Sequence, residues 1–100
     1  MAKIKISNWD TAKHLKSEKD IKYYLEAVFS DGTAEEIAYA LGNIARARHA
    51  MGKIAKSANV NISSLYRSLS REGTPYFRTI NHAVNSLGYQ LTVIPQKKIA

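Results

Sequence analysis

"IAKSANVNISSLYRSLS", residues Ile54 to Ser70, holds two short helical patterns separated only by Asn59-Val60-Asn61. The first presents Ile54, Ala55 and Ala58 inward, and the spacing predicts a helix from about Gly52 to Ala58. Asn59 tolerates the left-handed conformation often needed past a helix end. Asn61 suits the N-cap of the second helix, where its side-chain oxygen can accept an otherwise unpaired amide hydrogen. That second helix has little to bury beyond Leu65 and Leu69, one turn apart. Its other faces carry Ile62, Ser63, Ser64 and Arg67. Helix, sharp turn and short polar-faced helix together describe a helix-turn-helix. In such a unit the second helix lies in the major groove of DNA and the first crosses the backbone. Arginine can bind guanine bidentately, serine can contact several bases, and isoleucine can pack against a thymine methyl. Lys53, near the start of the first helix, is placed to meet a phosphate. Tyr66 stays open between core packing beside Leu69 and a phosphate contact.

Two short helices at this spacing also occur in purely structural bundles, so the charge distribution matters. The 100-residue chain has a formal charge of +7. Residues 1–45 hold six lysines against seven acids, whereas residues 46–78 hold seven cations against Glu72 alone. The excess centres on the helix-turn-helix, as expected where a polyanion is bound, although cations also solvate exposed faces of ordinary proteins. The expected DNA-contacting set is Lys53, Asn61, Ile62, Ser63, Ser64, Arg67, Arg71 and Thr74.

Outward from this unit, Ser17 with Asp20 resembles a capping box that opens a helix striped by Ile21, Tyr24, Leu25 and Val28 and stopped at Asp31-Gly32. Thr33 with Glu36 forms a second such box. Ala34, Ile37, Ala38, Leu41, Ile44 and Ala45 then mark the buried face of a helix reaching about Arg48. Beyond the motif, Thr74 is expected as N-cap and Pro75 as first residue of a last helix. Its core stripe is Phe77, Ile80, Val84 and Leu87, and Gly88 is its terminator. The amides of Thr74 and Tyr76 would then offer a phosphate seat. Residues 3–7 and 89–94 alternate as short strands. The expected fold is therefore mainly α, a five-helix bundle with a central helix-turn-helix and short terminal β-strands. It forms one domain over residues 1–100, with residues 1–16 as an N-terminal strand or extension. Tyr89, Leu91 and Val93 are expected to form a dimer seam, with pairing inside one chain as the alternative. Trp9 either plugs the core or docks on a partner.

Other classes fit poorly. There is no cysteine for a disulfide or thiolate metal site, and no apolar run approaches the ~20 residues that span a bilayer. The start lacks a secretory apolar region. His14, His49 and His82 are too far apart for a helical zinc pair, and no phosphate loop or nucleophile-elbow motif occurs. The basic residues are spread over several short elements rather than along one membrane-surface helix. The expectation is a cytoplasmic binding protein, not an enzyme, without cofactor, metal or membrane partner.

"LGNIARAR" (residues 41–48), "IAKSANVNISSLYRSLS" and "GTPYF" (residues 73–77) resemble blocks of the addiction-module antidote proteins, Xre-type helix-turn-helix antitoxins similar to HigA. "WDTAKHLKSEKDIKYYLEAVFSDG" (residues 9–32) is similar to their lead-in, and the likeness runs over about residues 9 to 94. The resemblance implies a lambda-repressor-like domain that binds double-stranded operator DNA as a homodimer, represses its own operon and neutralises a cognate RelE/ParE-type toxin. Asn61 to Ser64 and Arg67 match the segment that enters the groove. Three features depart from the pattern. Asn59 stands where glycine is usual. His49-Ala50 replaces another glycine, leaving the next connector open between a longer loop and a helical continuation. The first 30 residues carry six lysines against four acids, which is basic for a surface that masks a basic ribonuclease. Competing readings are a stand-alone helix-turn-helix transcription regulator and an RNA-binding or adaptor module.

Overall fold

Side-chain caps set most of the helix starts. In the computed structural model, which describes residues 17–96, the Ser17 hydroxyl accepts the Asp20 amide at 3.1 Å and opens α1, Glu18–Asp31. Gly32 closes that helix by donating to the Val28 carbonyl at 2.8 Å. One residue later Thr33 and Glu36 cap each other's amides, at 3.1 and 2.8 Å, and start α2, Ala34–Ala47. An Arg48–Glu18 ion pair ties the end of α2 to the start of α1.

The connector after α2 is neither a longer loop nor a helical continuation. His49 takes a left-handed conformation (φ 55°), and the Ala50 amide reaches back to the Ala45 carbonyl at 2.7 Å. This tight reversal starts α3, Met51–Ala58, without a side-chain cap. α4, Ile62–Ser68, and α5, Phe77–Ser86, complete the helices. α3 packs most extensively against α5 and then against α4, while α1 packs on α2. The small residues foreseen on α3, Ala55 and Ala58, are buried, and α5 matches them with buried Thr79 and Ala83.

Ile21 and Val28 of α1, Leu41 and Ile44 of α2, Ile54 of α3, and Leu65 and Leu69 of the α4 region are almost fully buried and form one core. Each such side chain stabilises by about 1.5–3 kcal/mol relative to exposure. Gly42, in the middle of α2, allows a close approach of α2 to the end of α4. A Cβ there would lie 2.4 Å from the Leu69 carbonyl oxygen. Ala34 is exposed and Ile37 half-buried, so the buried face of α2 begins at Ala38.

Three expectations are corrected. No β-strand occurs among the described residues, so the short terminal β-strands are not part of the fold there. Over residues 89–94 the alternation serves packing instead. Tyr89 and Leu91 lie half-buried against the helical core, Tyr89 donates to the Val84 carbonyl at 3.1 Å, and Val93 is 92% exposed. The N-terminal strand and Trp9 fall within residues 1–16, outside the described part. The last helix starts at Phe77 with Tyr76 as N-cap, not at Thr74-Pro75. Gly73 is folded beneath the end of α4, where a Cβ would lie 2.1 Å from the Ser68 carbonyl oxygen, and the chain needs residues 74–76 to leave that turn. Finally, Phe77 is 72% exposed, because the buried row of α5 runs through Thr79, Ala83, Val84 and Leu87.

Gly42→Ala is therefore expected to lower unfolding stability by about 1–3 kcal/mol through overpacking. Gly52→Ala meets nothing within 4 Å and should raise it by about 0.4–1 kcal/mol. Urea denaturation of the two variants beside the parent chain checks both signs.

Candidate nucleic-acid interface

α3 ends as the sequence foretells. Asn59 is left-handed (φ 59°, ψ 48°), and the Val60 amide donates to the Ala55 carbonyl at 3.0 Å. Asn61 then accepts the Ser63 amide at 2.8 Å and caps α4. The turn between the two helices is thus fixed by two asparagines in different roles, one through its backbone and one through its side chain.

Seven residues are too few for a helix to persist alone, so α4 depends on its tertiary anchors. Leu65 and Leu69 supply them, each 1% exposed. Helical geometry places Ser63 and Arg67 roughly opposite this leucine pair. Both are exposed, as is Ser64 on one flank. Ile62 and Tyr66 form the other flank and are 45% and 47% exposed, so Tyr66 is not a core residue. The Ser68 and Ser70 hydroxyls, by contrast, bond the Leu65 and Arg67 carbonyls at 3.1 and 2.6 Å.

The remaining expected contact residues divide. Lys53 is exposed on α3. Thr74 is exposed too and lines, with Ser64 and Ser68, a shallow concavity of about 210 Å³ on the hydroxyl flank of α4. It caps no helix, so the phosphate seat expected from the Thr74 and Tyr76 amides is not built in that form. Arg71 lies with its guanidinium carbon 4.9 Å from the centroid of the Tyr39 ring, which couples the loop after α4 to α2. Of the expected dimer residues, Tyr89 and Leu91 rest partly on the chain's own core and Val93 projects from it.

Sequence reasoning missed a clamp behind the motif. Arg78 donates to the Ala58 carbonyl at 2.9 Å, and His82 Nδ1 lies 2.9 Å from the Ser57 hydroxyl. Both contacts fasten the C-terminal end of α3 to α5. An arginine 20 residues downstream gives no local sign of such a role; only the pairing of α3 with α5 reveals it.

Charge is divided along the described chain. Residues 17–45 carry six acids against two lysines, a net of −4, whereas residues 46–78 carry the net +6. Four of the six lysines in the first 30 residues lie before residue 17. Among the described residues no group of three or more His, Cys, Asp or Glu side chains converges to hold a metal ion, and no helix is long and apolar enough to cross a membrane.

A family model described as "Probable addiction module antidote protein" matches residues 5–95. An uncharacterized protein of Haemophilus influenzae is 39% identical to this chain over 88 residues, covering 88% of this chain and 90% of that protein. No solved structure matches.

The two turn asparagines should respond differently to substitution. Asn61→Ala removes the cap of α4 and is expected to cost about 1 kcal/mol. Asn59→Gly should be tolerated, because glycine takes the left-handed conformation without steric cost. Thermal unfolding followed by circular dichroism compares them.

Proposed function

Since this chain belongs to the family of addiction module antidote proteins, we propose that it is the DNA-binding antitoxin of a type II toxin–antitoxin module. In this reading it binds double-stranded operator DNA as a homodimer, represses its own operon and neutralises a RelE/ParE-type toxin in the cytoplasm. It acts by binding alone, as one domain over residues 1–100 of the Xre, HigA-like kind.

One observation carries the DNA reading. α4 is held by two buried leucines yet leaves Ser63, Ser64 and Arg67 exposed in the middle of the net +6 segment. Short hydroxyls beside a guanidinium leave the backbone of α4 open to close approach, and the surrounding positive charge favours a polyanion there. Ser63 and Arg67 would meet base edges, Ser64 and Thr74 one wall of the groove, and Lys53 the phosphate strand crossed by α3. Arg71 would contribute field rather than a base contact, given its position over Tyr39. The negative segment 17–45 supports a second surface of opposite sign, suited to a cationic protein such as a small basic toxin. The projecting end of the 89–93 segment, at Val93, supports a role in dimer contacts. A symmetric dimer would present its two α4 helices about 34 Å apart, one turn of DNA.

Arg67→Ala should weaken specific binding by roughly 1–3 kcal/mol and relax preference at one base position. An equal loss on all sequences would mark Arg67 as a phosphate contact instead. Neutralising about four phosphates per protomer gives a log–log salt slope of about −3.6, measurable by fluorescence anisotropy on promoter duplex. Expression of the neighbouring gene should be lethal alone and harmless together with this one. If that gene is harmless by itself, the chain is a stand-alone regulator rather than an antitoxin.

A further inference from the structure

The exposed surface of α4 is chemically lopsided. Its crown, Ser63 and Arg67, and its Ser64 flank are polar. Its other flank consists of Ile62 and Tyr66, one turn apart and each a little under half exposed. These two line an open concavity of about 410 Å³ with Met51 and Gly52 at the start of α3 and Arg46 and His49 at the end of α2. The wall offered by α4 is apolar, while Arg46 and His49 add cationic and polar groups on the α2 side. Gly52 leaves open space where any other residue would place a Cβ.

In a helix-turn-helix dock, with the second helix in the groove and the first across the backbone, a concavity between α4 and the start of α3 faces the strand that α3 crosses. What that strand presents there is the sugar–phosphate chain and the C5 positions of its pyrimidines. An apolar wall gains nothing from phosphate or from base hydrogen-bonding edges. It gains from the one apolar group of the major groove, the 5-methyl of thymine. We propose that Ile62 and Tyr66 together form a pyrimidine-methyl reader, so that the chain selects DNA partly by 5-methyl groups on the strand beside α3. Tyr66 acts through its ring face and not its hydroxyl. This rests on the groove-binding reading of α4.

The test uses the full chain and duplexes selected by it from a random pool synthesised with thymine. In the selected sequence each thymine is then replaced singly by uracil, which removes the methyl and keeps every base hydrogen bond. At one or two positions per half-site uracil should weaken binding about fourfold, the effect of exposing one buried methyl. Ile62→Ser and Tyr66→Ser should abolish that discrimination with no change in salt slope, and Tyr66→Phe should retain it. Uracil binding as well as thymine everywhere overturns the methyl reader and leaves the DNA-binding reading intact. So does discrimination that persists in both serine variants. Failure to select any duplex, with no salt-dependent DNA binding, overturns both.

Discussion

The approach of α2 to the end of α4 is the constraint on which the rest of the molecule depends. Gly42 sits in a helix interior, where glycine is unfavourable by about 0.5–1 kcal/mol relative to alanine. The structure accepts that cost because the Leu69 carbonyl occupies the space a Cβ would need. With Leu69 so placed, Leu65 lies one turn back in the same core, and the orientation of all seven residues of α4 follows. A helix this short has almost no stability of its own. Its polar crown can be presented in a fixed direction only because its apolar pair is held this tightly.

The second half of the chain serves that same geometry from behind. α5 packs on α3 through small residues, and Arg78 and His82 fasten the last turn of α3 at Ala58 and Ser57. Of the two helices of the motif, α3 is braced by α5, and α4 is held against α3 and, just past its end, by the approach of Leu69 to Gly42. A cation such as Arg78, which simple charge counting assigns to the nucleic-acid face, works here as a bracket. Arg71, over Tyr39, is likewise engaged within the fold.

Charge is segregated along the chain. The net −4 of residues 17–45 precedes the net +6 of residues 46–78 in one small protein. Such separation gives the two stretches local fields of opposite sign. The basic look of the N-terminal third reflects lysines before residue 17, while α1 and α2, which follow, are acidic.

Local chemistry was legible from the sequence. The caps at Ser17, Thr33 and Asn61, the left-handed Asn59 and the terminator Gly88 depend on neighbours within a few residues, and all five appear as expected. So do the helical stripe of α1 and the anchoring role of Leu65 and Leu69. What failed depends on contacts distant in sequence. Alternation over residues 89–94 is equally satisfied by a strand or by an extended segment lying on helices, and the presence of a core to lie on decided for the latter. Phe77 fits the stripe of α5 by spacing, but close packing of Thr79 and Ala83 turned that helix and left the ring in solvent. The start of α5 moved from Thr74 to Phe77 because Gly73 is tucked under α4, a crowding invisible in a one-dimensional pattern. Sequence determines which backbone conformations and faces are available; only the competition among helices for one small core decides which faces remain outside.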